Sequence, residues 1–255
     1  MATIPKIIHY CWFGGQAHNL LIRNCIQSWK EHLPEYEIME WNEQNSNLDC
    51  EFAQKAFELR KWAFLSDYIR LKALLEYGGV YLDTDMLFVK PLGGLMERSC
   101  FIGRQYNGQI AAGIIGAVPQ HPFIGHCLER YRTMQFDETR LMNMAIPKIM
   151  TEAYAVYPEQ SDVHILNYLY FYPYLFEDSL KGLDFKTSIV QETIAVHLWN
   201  ASWFTEKELA GFALEKKNYL KAAVLMLRYV TRNPGFLMQL PKVALRYISG
   251  KNKHE

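Results

Sequence analysis

The sequence predicts an α/β domain followed by a helical C-terminal extension, and three observations carry that expectation. The chain opens as strand, helix, strand, which is the pattern of a βαβ unit. A long run of helix formers ends at a glycine pair and passes at once into an apolar strand. Beyond about residue 206, basic side chains outnumber acidic ones and alternate with apolar groups. At 255 residues the chain is long enough to bury one sizeable core. Neither an internal repeat nor a low-complexity linker divides it, so residues 1–205 are expected to form one domain. Residues 206–255 are expected to form a basic amphipathic helical extension that can pack on it.

Each element is justified by its residues. Lys6 to Phe13 is a β-branched and aromatic run stopped by Gly14-Gly15, and reads as a buried first strand. A helix is expected over about Leu20 to His32, broken by Pro34, and a second strand over Tyr36 to Trp41. The clearest helical stretch spans about Glu51 to Tyr77, in one or two pieces, with Gly78-Gly79 as its stop. Val80 to Val89 reads as a single apolar strand interrupted by two carboxylates and closed by Lys90-Pro91. Further strands are expected near Ser99 to Gly103, at Ala112 to Ala117 and at Thr193 to Leu198, with helix over about Pro122 to Tyr157.

Composition excludes several classes. The formal charge is zero, which leaves no whole-protein electrostatic footprint for nucleic acid. Five widely spaced cysteines without a C-x-x-C pair suggest neither a zinc knuckle nor a disulfide framework. Free thiols in a reducing compartment are the expectation. The N-terminus lacks the long apolar core of a signal peptide, and no eighteen consecutive apolar residues occur. The protein is therefore expected to be cytoplasmic, at most resting on the inner face of a membrane.

The residues that demand explanation are Asp83 and Asp85. In a strand, side chains at i and i+2 share a face, and two like charges buried a few ångströms apart need compensation. A divalent cation is the most direct compensation, and hard carboxylate oxygens suit Mg²⁺ or Mn²⁺. The D-x-D pattern alone is too short to decide the matter. Upstream, Asp67 and Arg70 stand at i and i+3 on the expected helix, an acceptor and a cation side by side. Their flanks, Ala63-Phe64-Leu65-Ser66 and Tyr68-Ile69, are too apolar for an ordinary solvent-facing ion pair. The run Ala111 to Ala117 is rich in small residues, which either admit a sugar close to the backbone or pack a strand.

The stretch from Ala63-Phe64-Leu65-Ser66-Asp67-Tyr68-Ile69-Arg70 through Glu76-Tyr77-Gly78-Gly79-Val80-Tyr81-Leu82-Asp83-Thr84-Asp85 resembles the signature of glycosyltransferase family 32. That group includes yeast-type α-mannosyltransferases and is similar in its core to the clostridial toxin glucosyltransferases. Ile4 to Gly15 resembles the family's first strand, and His197 to Trp203 its closing motif. The resemblance implies a GT-A fold, a Rossmann-like α/β domain with a nucleotide-sugar donor at the carboxyl ends of the parallel strands. It implies that Tyr10 and Trp12 line the base, that Asp67 and Arg70 hold donor hydroxyls, and that Asp83 reaches the ribose or the metal. It further implies that Asp85 and His197 ligate the metal and that Asn200, Ser202 and Trp203 contact phosphate. This sequence reads Asn-Ala-Ser-Trp where Gly-Ser-Trp is expected, a departure at those phosphate contacts.

The implied activity is a retaining, metal-dependent transfer of a hexose from a UDP- or GDP-sugar to a saccharide or lipid-linked glycan, in capsule or lipopolysaccharide assembly. A phosphatase of the haloacid dehalogenase type also carries D-x-D after an apolar strand, but its motif opens the domain and a later Asp-Asp pair completes it. Neither holds here. A non-catalytic sugar- or metal-binding relative would be expected to have lost one of the four charged residues, yet all are present. In the extension, Lys216, Lys217, Lys221, Arg228, Arg232, Lys242 and Arg246 fall among apolar residues at loosely helical spacing. Peripheral membrane contact and a solvated basic face are both compatible with that spacing.

Overall fold

A computed structural model describes residues 3–200 and 219–232. The chain separates into two compact units, residues 1–175 with 184–200, and residues 176–183 with 201–255.

The first unit is built on a six-stranded mixed sheet. Its strands are β1 (Ile7–Cys11), β2 (Glu37–Trp41), β3 (Gly79–Leu82), β5 (Cys100–Arg104), β6 (Ile110–Ala117) and β7 (Val163–Leu166). They lie in the order β2-β1-β3-β6-β5-β7. β6 runs antiparallel to both its neighbours, and the other pairings are parallel. The carboxyl ends of five strands therefore share one edge, where the β5–β6 hairpin also turns. A separate two-stranded sheet pairs β4 (Met86–Phe88) with β8 (Ala195–His197) in antiparallel register.

The helices of this unit are α1 (Leu20–His32), α2 (Glu51–Glu58), α3 (Trp62–Tyr77), α4 (Pro122–Arg132), α5 (Leu141–Met144) and α6 (Ile146–Ala155). The second unit contributes α7 (Phe176–Lys181) and α8 (Tyr219–Arg232). Strand β7 is absent from the expectations above, because Val163-His164-Ile165-Leu166 is too short to show a period.

Alternation along the strands sorts side chains between two cores. Tyr81, Ile102 and Ile115 join one cluster with Phe52, Leu65, Phe123 and Ile149. Val80, Leu82, Phe101 and Ile114 join the other with Trp29, Tyr172 and Ala195. Because both faces are covered, the central strands read as nearly continuous apolar runs. All five cysteines are free and buried.

Two local devices fix the turn between α3 and β3. Gly78 and Gly79 have φ of 64° and 99°. A Cβ on Gly78 would lie 2.6 Å from Pro119 Cδ, and one on Gly79 would lie 2.6 Å from the Ile7 carbonyl. Only glycine lets α3 reverse this tightly into β3. Beside the turn, His9 is fully buried, accepts from the Trp41 indole N–H at 3.2 Å on Nδ1 and donates from Nε2 to the Gly78 carbonyl at 2.8 Å. Burial lowers its pKa, although the Gly78 carbonyl works the other way. A neutral imidazole fits those two partners.

Candidate active site

Asp83 and Asp85 do not lie within one strand, as the run Val80 to Val89 suggested. β3 ends at Leu82, the Met86 N–H donates to the Asp83 carbonyl at 3.0 Å, and β4 begins only at Met86. The carboxylates occupy a tight turn that carries the chain from the six-stranded sheet to the two-stranded one. The Asp83 N–H still bonds the Gly113 carbonyl at 2.8 Å, one step beyond the β3–β6 ladder. The Asp85 carbonyl already accepts from Leu198 N–H at 2.9 Å, one step before the β4–β8 ladder. A single unbroken strand would have required both residues to pair with the same neighbour. α1 secures the far side, where the Trp29 indole donates to the Met86 carbonyl at 2.6 Å and the Ser28 hydroxyl accepts from Phe88 N–H at 2.9 Å.

Around this turn the sequence-predicted residues form two linked groups. In the first, Arg70 reaches from α3 to Asp67 Oδ1 at 2.8 Å and to Asp83 Oδ1 at 3.1 Å. It also donates to the Ala112 carbonyl at 2.8 Å, and its guanidinium lies 4.4 Å over the Tyr81 ring. Asp67 Oδ2 accepts from the Ile146 N–H at 3.1 Å, so both of its oxygens are engaged. Burial raises the Asp67 pKa well above the usual carboxylate range, with Arg70 pulling the other way. The Arg70 guanidinium is buried too, but its acidic neighbours, Asp83 first, outweigh that burial and hold it firmly protonated.

In the second group, His197 Nε2 lies 3.0 Å from Asp85 Oδ1, and the Asn200 backbone N–H donates to Asp85 Oδ2 at 2.8 Å. Burial opposes the charge on Asp85, yet His197 and the Asn200 N–H outweigh it and hold the carboxyl below its ordinary value. Conversely, burial opposes protonation of His197, and Asp85 overcomes it and raises the imidazole pKa. Trp199 shapes this end. It takes a φ of 53°, donates its indole N–H to the Tyr174 carbonyl at 2.7 Å and meets the His197 ring edge-on at 4.1 Å. A non-glycine residue in that region is a strained turn beside the site.

Asp83, Asp85 and His197 can each offer one ligand atom, all within 4.8 Å of one another. His197 Nδ1 is buried and, among the described residues, has no hydrogen-bond partner. A buried polar atom left unpaired is costly, and an imidazole nitrogen with two carboxylates is a suitable donor set for a divalent ion. The residues present therefore fit such an ion.

The other expected residues take varied places. Tyr10, on β1, is buried against Trp29 and donates its hydroxyl to Glu40. Trp12, just past the carboxyl end of β1, is half-buried, donates its indole N–H to the Gln16 carbonyl and packs edge-on against His18 at 4.6 Å. Asn200 joins the site through its backbone rather than through a side-chain contact to Asp85. Ser202 and Trp203 lie outside the described residues.

Sequence reasoning missed Tyr172. Its ring meets His197 edge-on at 5.8 Å, and its hydroxyl accepts from Ile114 N–H at 3.2 Å. Room for it comes from glycines on two strands. A Cβ on Gly103 would meet Tyr172 Cε2 at 2.7 Å, and one on Gly113 would meet the Tyr172 hydroxyl at 3.2 Å and Asp83 Oδ2 at 3.1 Å. The small-residue run thus serves packing at Gly113, against the site itself. The only available signal was those two glycines inside strands, which mark close approach without saying by what.

Comparison with known proteins bears on this arrangement. Residues 21–102 match the family model described as glycosyltransferase sugar-binding region containing DXD motif. Residues 21–102, which include Asp67, Arg70, Asp83 and Asp85, therefore resemble the DXD-containing sugar-binding region of glycosyltransferases. It is 27% identical over 155 residues to a human alpha-1,4-N-acetylglucosaminyltransferase, covering 55% of this chain and 44% of that protein. It is 24% identical over 131 residues to inositol phosphoceramide mannosyltransferase 3 of Schizosaccharomyces pombe, covering 48% of this chain and 36% of that protein. The chain thus spans less than half the length of either relative. The solved structure of PaToxG glycosyltransferase superposes with a TM-score of 0.51 at 20% identity, covering 63% of this chain and 72% of that one. The chain has the GT-A fold.

Proposed function

We propose that this chain is a DXD-containing glycosyltransferase, a retaining enzyme that transfers a hexose from a UDP- or GDP-sugar to a saccharide or lipid-linked glycan of capsule or lipopolysaccharide assembly. Mn²⁺ or Mg²⁺ would be held by Asp83, Asp85 and His197. The observation that carries the reading is the convergence of those three side chains within 4.8 Å, on a turn anchored to Arg70. Held by these residues, a divalent cation would supply Lewis-acid stabilisation of charge on the departing nucleoside diphosphate.

The chain's own residues supply the rest. Arg70 and Asp67 form a buried pair that holds Asp83 in place, and their assigned role on donor hydroxyls is exercised at the partly exposed Asp83 end of that network. Tyr10 and Trp12 belong to the base-binding edge at the end of β1, and Asn200, Ser202 and Trp203 to the diphosphate side. Both Asp67 oxygens are engaged and the residue is buried, so it is poorly placed to attack an anomeric carbon. That supports departure and attack on the same face of the sugar, with a donor phosphate oxygen accepting the acceptor's proton.

Thermal unfolding with a panel of UDP- and GDP-sugars, with and without Mn²⁺, tests the assignment. A ligand at about a hundred times its dissociation constant stabilises by about 2.7 kcal/mol. One nucleotide class should raise the midpoint only with metal, and Asp85→Asn should abolish the rise. Folded protein that responds to no donor in either condition would overturn the reading.

A further inference from the structure

Helix α8 carries apolar side chains on two sides. Ala222 and Leu225 are buried and Met226 packs beside them. On the other side Leu220 is 79% exposed, Leu227 65% and Val224 43%. At 3.6 residues per turn, positions 220, 224 and 227 form one continuous outward stripe. Exposed Tyr219 and Ala223 flank it on one edge and exposed Arg228 on the other. The inner side is buried, whereas the outer apolar stripe beside Arg228 is exposed, the arrangement of an amphipathic helix that still presents apolar surface.

Charge decides what covers the outer side. Residues 206–255 hold ten Lys and Arg against four Asp and Glu, in a chain whose formal charge is zero overall. A second copy seated on this stripe would bring two cationic extensions together, which is unfavourable. An anionic bilayer offers apolar depth and negative headgroups at once, the two attractions that hold an interfacial helix. No described helix is long and apolar enough to cross a membrane, so the contact is lateral.

We infer that the Leu220–Val224–Leu227 stripe of α8 seats on an anionic lipid surface, with Arg228 at the headgroup level. The contact is independent of the donor site and can be read without nucleotide or metal.

The test is co-sedimentation of the full chain with phosphatidylcholine vesicles, with and without phosphatidylserine. Anionic vesicles should retain at least about tenfold more protein than neutral ones, an advantage that added salt erodes. The double variant Leu220→Ser/Leu227→Ser should lose that advantage while keeping the wild-type circular dichroism spectrum. Should it unfold, Leu220→Cys carrying a polarity-sensitive fluorophore replaces it. The five native thiols are buried, so the label goes to the new one, and its emission should shift blue on anionic vesicles. Equal retention on both vesicle types, undiminished binding by the folded double variant, or an unshifted label would overturn the proposal. So would a concentration-dependent dimer that the double variant abolishes.

Discussion

Replacing Arg70 by Met tests whether the buried charge network holds the site together. The guanidinium bonds Asp67, Asp83 and the Ala112 carbonyl from inside the core. Asp83 is 29% exposed at its side chain and can turn to water, whereas Asp67 is 9% exposed and cannot. Arg70→Met therefore leaves one uncompensated buried carboxylate, a defect worth about 3–5 kcal/mol. For a domain of this size that corresponds to a fall of about 6–20 °C in Tm. Without its cation, Asp67 has a folded pKa far above the unfolded value near 3.9. The penalty is then fully present above the folded pKa and fades as pH falls toward the unfolded one. Urea unfolding at pH 8 and pH 5 should show the gap between wild type and variant narrowing with acid. Adding Asp67→Asn should recover much of the loss, because the orphaned charge is gone while an oxygen remains for the Ile146 N–H. A gap below about 1 kcal/mol, or one indifferent to pH and to Asp67→Asn, would refute the reasoning.

Metal binding should release a proton. Asp85 raises the His197 pKa, and a protonated imidazole cannot ligate, so Mn²⁺ affinity should fall as pH drops through that raised value. Calorimetry below that raised value, in buffers of different ionisation enthalpy, reads the proton directly, and buffer-independent heats there would exclude His197 as a ligand. Gly113→Ala should cost about 1–3 kcal/mol and weaken Mn²⁺ binding, because its Cβ would lie 3.1 Å from Asp83 Oδ2. Wild-type metal affinity in that variant would show that Asp83 is free to move.

Local chemistry made much of the fold legible. α1 spans Leu20–His32 as its pattern and Pro34 require, and the helical run Glu51 to Tyr77 breaks into α2 and α3. The Gly78-Gly79 stop, β1 and β6 are equally local, since each depends on a glycine conformation or a continuous apolar run. Elements with weak periodicity were less legible. Residues 122–157 form α4, a short 3₁₀ turn, α5 and α6 rather than one helical stretch, and the four residues of β7 carried no signal.

The sequence by itself determined the kind of site. Two aspartates beside a glycine-stopped helix, with Asp67 and Arg70 one helical turn apart, specify a cluster of charged residues whose like charges call for compensation. Tertiary structure alone decided how the cluster is divided. Asp83 pairs with Arg70 and Asp85 with His197 because the chain changes sheets between them, and strand pairing across 112 residues of sequence brings His197 to the turn. Tyr172 entered the same way, through space left by glycines on two other strands. Pairing partners between sheets depend on which surfaces meet after the core closes, and no local propensity encodes that.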